Sequence, residues 1–154
     1  MKSRVMVAGL AVVAVVVSAC GGSSSSGGVA LLLPSVDAAR YESADRPYFE
    51  AKFKELCPDV TYTYNNAAGS SATQQQQAEA AITNGAKVLV LDPQDGDAAG
   101  KIVTDAAAKG VKVISYDRLI KGGSKPDFYI SFDNEAVGRL QGETLLARLT
   151  ADGL

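Results

Sequence analysis

The 154-residue sequence has no histidine, no tryptophan and only 2 cysteines. Without imidazole there can be no Ser-His-Asp triad, no histidine zinc site and no histidine pH switch. Two cysteines, Cys20 and Cys57, are too few for a zinc cluster or a disulfide-dense scaffold. Catalysis by carboxylates or lysine stays open. An excess of basic charge is also missing. With the first 19 residues set aside, 13 basic face 17 acidic side chains, a net charge of −4 over 135 residues, which argues against a nucleic-acid binder. Phosphate-cradling glycine loops are absent too: no GxGxxG follows the first predicted strand and no P-loop occurs, so a nucleotide is poorly supported. What remains is the composition of an ordinary globular domain, 47% hydrophobic and 21% charged. A domain of roughly 125 residues suffices for one core and not for two.

The first twenty residues read as an address. Lys2 and Arg4 precede Val5 to Val17, a run of 13 residues without a charge. That is the length of a signal-peptide core and falls short of the roughly 20 apolar residues of a membrane span. Val17-Ser18-Ala19-Cys20 then has the form of a lipobox, in which small residues precede a cysteine that is diacylated and becomes the mature N-terminus. The alternatives are an ordinary secretory signal cut near Ala19, with Cys20 incidental, and a transmembrane anchor. Gly21 to Gly28 contains only glycine and serine, a flexible tether with a reach of roughly 15 Å. Two acyl chains give the stable anchoring that one does not. The expected organisation is a lipoprotein signal peptide over 1–19, a lipidated Cys20 with its tether over 20–28, and one lobe over 29–154 on the extracytoplasmic face of the membrane. Cys57, just before Pro58, is expected to be a buried free thiol.

From Val29 onward short apolar runs alternate with longer helical patterns. Val29 to Leu33, Val60 to Tyr64, Lys87 to Leu91, Lys112 to Tyr116 and Phe128 to Ser131 read as strands. Ser43 to Leu56, Ala72 to Thr83, Asp97 to Lys109 and Glu135 to Leu149 read as helices. Such alternation predicts an α/β fold, a three-layer parallel sheet with helices on both faces. Asn84-Gly85-Ala86-Lys87-Val88-Leu89-Val90-Leu91-Asp92-Pro93 and Lys109-Gly110-Val111-Lys112-Val113-Ile114-Ser115-Tyr116-Asp117-Arg118 repeat one pattern. In each, a glycine stands where a helix must end left-handed and a nearly continuous apolar strand follows.

Ligands of open parallel sheets bind beyond the carboxyl ends of the strands. The residues expected there are Ser35 to Tyr41, Asn65 and Asn66, Asp92 to Asp95, Asp117 and Arg118, and Asp133 and Asn134. These hydrogen-bonding and stacking types suit a small polyhydroxylated ligand. Several also have plain structural readings: Asp133 and Asn134 as a helix N-cap, Asn65 and Asn66 as turn residues, and Gln74 to Gln77 as a solvated helix surface.

Leu31-Leu32-Leu33-Pro34, Ala39-Arg40-Tyr41-Glu42, Ile114-Ser115-Tyr116-Asp117-Arg118-Leu119-Ile120 and Tyr129-Ile130-Ser131-Phe132-Asp133-Asn134-Glu135-Ala136-Val137-Gly138, with the strand ending at Asp92-Pro93, resemble the D-xylose-binding branch of the type I periplasmic sugar-binding proteins. The resemblance runs from about Val29 to the end. It implies two similar lobes with a monosaccharide, D-xylose or a related aldose, held between them and delivered to an ABC permease driven by a separate ATPase. It implies no cofactor, no metal and no enzymatic activity. By position it assigns sugar contacts to Arg40, Asp117 and Arg118, and to Tyr41 the aromatic that covers the sugar ring, commonly tryptophan in relatives. Carboxylates accept hydrogen bonds from hydroxyls and guanidiniums donate a fork of them, so the types fit the roles. Asp117 and Arg118 as loop-bracing rim ion pairs, and Arg40 as a solvated charge, are the competing readings. The departure is length: the chain covers only the N-terminal lobe, as a fragment or a non-functional truncation. Other readings are a sensory module presenting sugar to a receptor, and an envelope glycosidase using paired carboxylates about 5–9 Å apart.

Overall fold

The computed structural model describes residues 28–154, so the signal peptide, Cys20 and the tether up to residue 27 lie outside the described residues. Five strands, β1 (Val29–Leu33), β2 (Tyr62–Asn66), β3 (Val88–Leu91), β4 (Lys112–Tyr116) and β5 (Phe128–Ile130), form one sheet in the order β2-β1-β3-β4-β5. Every pairing is parallel. The helices are α1 (Arg46–Leu56), α2 (Ser71–Thr83), α3 (Gly100–Ala108) and α4 (Asn134–Ala151).

Alternation along the central strands sorts side chains into two cores. Ala30, Leu32, Leu89, Leu91 and Val113 point to the face covered by α2 and α3, where Ala78, Ile102, Val103 and Ala106 meet them. Leu31, Leu33 and Val90 point the other way, with Tyr41 and Phe49 packed on them. Burial on both faces explains the continuous apolar runs. The repeated glycines act as expected: Gly85 at φ +91° and Gly110 at φ +69° end α2 and α3. In both, the next residue donates back five positions, Ala86 to the Ala81 carbonyl at 3.0 Å and Val111 to Ala106 at 2.9 Å, the closure that satisfies orphaned helix carbonyls. At the far edge β5 is exposed, and α4 has no buried residue.

Three element starts differ from the sequence reading by two residues or more, each through local hydrogen bonding. β2 starts at Tyr62 because Val60 N–H turns back to the Cys57 carbonyl at 3.1 Å. α3 starts at Gly100 because Asp95 Oδ1 accepts the Asp97 and Ala98 N–H groups at 2.9 and 2.8 Å, holding a turn. The first helix opens with a wide π turn over Tyr41–Asp45, where Arg46 N–H reaches the Tyr41 carbonyl. Pro47 follows and has no N–H to continue the α pattern from Ser43. Cys57, at the end of α1, is half-buried rather than buried.

In strand order the direction of the connections reverses between β1 and β3. A crevice forms at such a switch point. Here it lies over the loops after Leu33 and Leu91.

Candidate binding site

The loop after β1 and the π turn bring Arg40 over that crevice. Its Nε donates to Asp45 Oδ2 at 2.8 Å, and its Nη1 lies 3.3 Å from Asp117 Oδ2 at the end of β4. Tyr116 Oη donates to the other Asp45 oxygen at 3.1 Å. Burial alone would pull the Arg40 guanidinium down, but the Asp45 hydrogen bond and the Asp117 charge outweigh it, so its pKa lies above the ordinary value. Arg40 Nη2 is buried without a partner. The Arg40 side chain as a whole is still 36% exposed, so a ligand oxygen can meet the guanidinium from the rim.

Asp117 sits at φ +59°, in the left-handed region that a residue other than glycine rarely occupies. The surroundings hold it there. Its N–H donates to the Ile130 carbonyl at 2.8 Å, and its carbonyl accepts from Ser131 Oγ at 2.8 Å and Tyr129 Oη at 3.2 Å. Such over-determined outliers cluster at ligand clamps. The next residue, Arg118, is half exposed, and its Nη1 donates to the Pro93 carbonyl at 3.2 Å. Ser115 Oγ anchors this turn by donating to the Arg118 carbonyl at 2.7 Å. A polar cleft of about 450 Å³ opens alongside, lined by Asp95, Asp97, Asp117, Arg118, Tyr129 and Asn134 among others.

The structure thus brings Arg40, Tyr41, Asp117 and Arg118 together. Tyr41 differs in presentation from the sequence expectation of a ring facing a sugar: it is 2% exposed. Its ring lies beneath both guanidiniums, with centroid distances of 5.4 Å to Arg40 and 6.0 Å to Arg118. Burial, then the nearby Asp92 charge, pushes its hydroxyl up to about 12. The aromatic that faces outward is Phe132, 59% exposed, with the Arg40 guanidinium 5.5 Å from its centroid. Asp133 caps α4, accepting Ala136 N–H at 2.9 Å, as expected. Asn66 makes its turn by accepting Ala68 N–H at 2.9 Å and also donates to the Ser35 carbonyl at 3.0 Å, fastening the loop that leads to Arg40.

The run Gln74 to Gln77 is not simply a solvated surface. Gln74 is 1% exposed, and its amide bridges the loop after β3: Nε2 donates to the Asp92 carbonyl and Oε1 accepts Gln94 N–H, both at 2.8 Å. Gln77 Nε2 donates to the Asn66 carbonyl at 2.8 Å, leaving Gln76 as the exposed member. Sequence reading missed Gln74 and Asp45. Gln74 carried a signal in its helical phase, whereas Asp45 had none, since it sat inside a predicted helix.

Residues 29–153 match the family described as the periplasmic binding protein domain. The chain belongs to that family. It is 40% identical over 114 residues to the D-xylose-binding periplasmic protein of Escherichia coli, an alignment that takes in 73% of this chain and 34% of that protein. Among solved structures, a carbohydrate transporter solute-binding protein from Chloroflexus aurantiacus, in complex with D-glucose, superposes with TM-score 0.71 at 38% identity, over 77% of this chain and 34% of that one. An ABC transporter solute-binding protein from Clostridium phytofermentans with bound β-D-glucose gives TM-score 0.73 at 33% identity, over 80% and 37%. The resemblance to the D-xylose-binding branch and the α/β fold class are both borne out. These relatives are binding proteins and not enzymes. The chain spans about a third of the length of the curated D-xylose-binding relatives it matches, 34% in each.

Proposed function

We propose that this chain is the first lobe of an extracytoplasmic lipoprotein that binds a monosaccharide, D-xylose or a related aldose, and presents it to the permease and ATPase of an ABC importer. The observation that carries this reading is the Arg40–Asp117 pair, 3.3 Å apart at the carboxyl edge of the sheet, with both side chains partly open to the rim. A sugar carries adjacent hydroxyls that donate and accept at once. One can donate to Asp117 while its neighbour accepts from the Arg40 guanidinium, and Arg118 can donate to a third from the cleft side. Tyr41 supports the two guanidiniums from below, and Phe132 offers an apolar face of the kind that packs on the carbon side of a pyranose. The names of the relatives support a sugar as the ligand. A second lobe closing over this rim would exclude water and strengthen every one of these contacts.

Asp117→Ala and Arg118→Ala should each weaken D-xylose or D-glucose binding by the full-length protein by at least about 2 kcal/mol, roughly 30-fold, as expected for charge-assisted hydrogen bonds. Titration calorimetry reads this directly, and unchanged affinity in both variants overturns the site assignment. The anchor is tested separately. Protein extracted from its membrane should have an intact mass corresponding to a diacylated N-terminal Cys20, and an unmodified N-terminus overturns the lipoprotein reading. Co-purification with a permease complex rather than a sensory receptor separates import from signalling.

A further inference from the structure

Asp92 is the one acid of the rim whose side chain is completely buried, at 0% exposure, among the described residues. Neither of its carboxylate oxygens has a hydrogen-bond partner. Its backbone is nevertheless held firmly, by N–H donation to the Leu32 carbonyl at 3.0 Å, by the Gln74 amide and by Pro93 immediately after it. A neutral residue of the same shape would avoid the desolvation of a carboxylate that no hydrogen bond meets, a large penalty for a core to carry. The charge therefore calls for a use.

We propose that Asp92 is a positioning residue for Arg118: its buried carboxylate sets the direction of that guanidinium across the candidate sugar site and makes ligand capture depend on pH. The inference rests on the sugar-binding reading of this site for its functional consequence, though not for the Asp92–Arg118 interaction itself. Arg118 Nε lies 3.8 Å from Asp92 Oδ1, and Arg118 Nη1 is fixed to the carbonyl of the very next residue, Pro93. The guanidinium is thus oriented along the β3 loop by an attractive charge beneath it and one hydrogen bond beside it. The other charged and titratable groups facing Asp92 are Asp117, Arg40 and Tyr41.

Burial pushes the Asp92 carboxyl up to about 7, with Arg118 acting against it. The consequences for stability and for binding then have opposite signs. A carboxyl raised in the folded state stabilises the fold below its unfolded pKa, and that contribution is lost as pH rises through about 7. Only the ionised form attracts Arg118, which otherwise keeps just its hydrogen bond to Pro93, so sugar affinity should rise as Asp92 ionises around pH 7.

The test compares the full-length protein with its Asp92→Asn variant. At pH 8 the variant should have a higher Tm, because the desolvation of a buried carboxylate with no hydrogen bond outweighs one long ion pair, and a D-xylose affinity about tenfold weaker, the size of one charge-assisted contact. The ¹H–¹⁵N signal of Arg118 Nε, identified by its loss in Arg118→Lys, should shift with a midpoint near neutrality in the parent and stay flat in the variant. A residue with a merely structural role would give a lower Tm and an Arg118 signal insensitive to Asp92→Asn, and that combination overturns the proposal. If the signal titrates as described but neither D-xylose nor D-glucose binds at any pH, the sugar reading fails and the Asp92–Arg118 coupling stands. If sugar binds and the signal ignores Asp92, the coupling fails and the sugar reading stands.

Discussion

Replacing Gln74 with alanine should lower the unfolding free energy by about 3 kcal/mol, much more than a helix-surface substitution would. The side chain is 1% exposed and satisfies two backbone groups of the β3 loop at once, the Asp92 carbonyl and the Gln94 N–H, each at 2.8 Å. Alanine leaves both without partners. A buried backbone group stripped of its hydrogen bond costs about 1–3 kcal/mol, and the void left by the amide adds to that. Ala is the better helix former, but the difference from Gln is only a few tenths of a kcal/mol, far too small to compensate. Urea unfolding should show a lower midpoint with an unchanged slope, the pattern of lost stability without a change in exposed surface. A loss under about 1 kcal/mol would mean that water replaces the amide, and the clamp would then not be what fixes the loop. The effect should also reach the rim, because Arg118 Nη1 is tied to the Pro93 carbonyl inside the clamped segment.

Gln74 also shows where the sequence could have been read further. Four consecutive glutamines point around most of a helix, and the solvated reading treated them alike. The burial phase of α2 is set by Ala78, with Ala81 and Ile82 packed beside it. Position 74 lies one turn before Ala78 on the same stripe, so its burial followed from the helical period. The strands and the paired glycine closures were legible because each rests on local chemistry: apolar runs buried on both faces, and a left-handed residue at a helix end. The strand ends put the Arg40-Tyr41 and Asp117-Arg118 segments on one rim, and only the family resemblance singled them out from their neighbours there. Nothing in their spacing, 77 positions from Arg40 to Asp117, says that they meet. Two features had no local signature. The π turn shifts Asp45 inward to Arg40 Nε, and the burial of Tyr41 beneath two guanidiniums depends on Arg118 arriving from the other side of the switch point.

Gly100→Ala should destabilise the protein by roughly 3 kcal/mol, although helix propensity alone favours the change by about 1 kcal/mol. Gly100 opens α3, and the loop after β4 passes directly over it. A methyl group at Gly100 would fall on the Gly122 carbonyl, well inside any real contact distance, and its immediate neighbours there are backbone atoms that cannot swing aside. The approach is mutual. A methyl at Gly123 would lie 2.5 Å from the Gly100 carbonyl oxygen, and one at Gly96 would lie 2.7 Å from that of Leu119. Lys121 N–H closes the contact by donating to the Gly96 carbonyl at 2.9 Å. Backbone is laid on backbone, and this is how the loop that begins with Asp117 and Arg118 is set against the loop that carries Asp92. Forcing the two apart costs the overpacking strain of a rigid contact and displaces both candidate sugar-binding residues, so affinity should fall together with stability. Gly138, in α4, is the internal control. It has no atom within 4 Å of a built methyl, and Gly138→Ala should stabilise by about 0.5–1 kcal/mol through propensity alone. Thermal unfolding of the two variants therefore has opposite predicted signs. Equal stability of Gly100→Ala and the parent would show that the β4 loop can move off α3, and the backbone contact would then have no part in holding Asp117 and Arg118 in register with the rest of the rim.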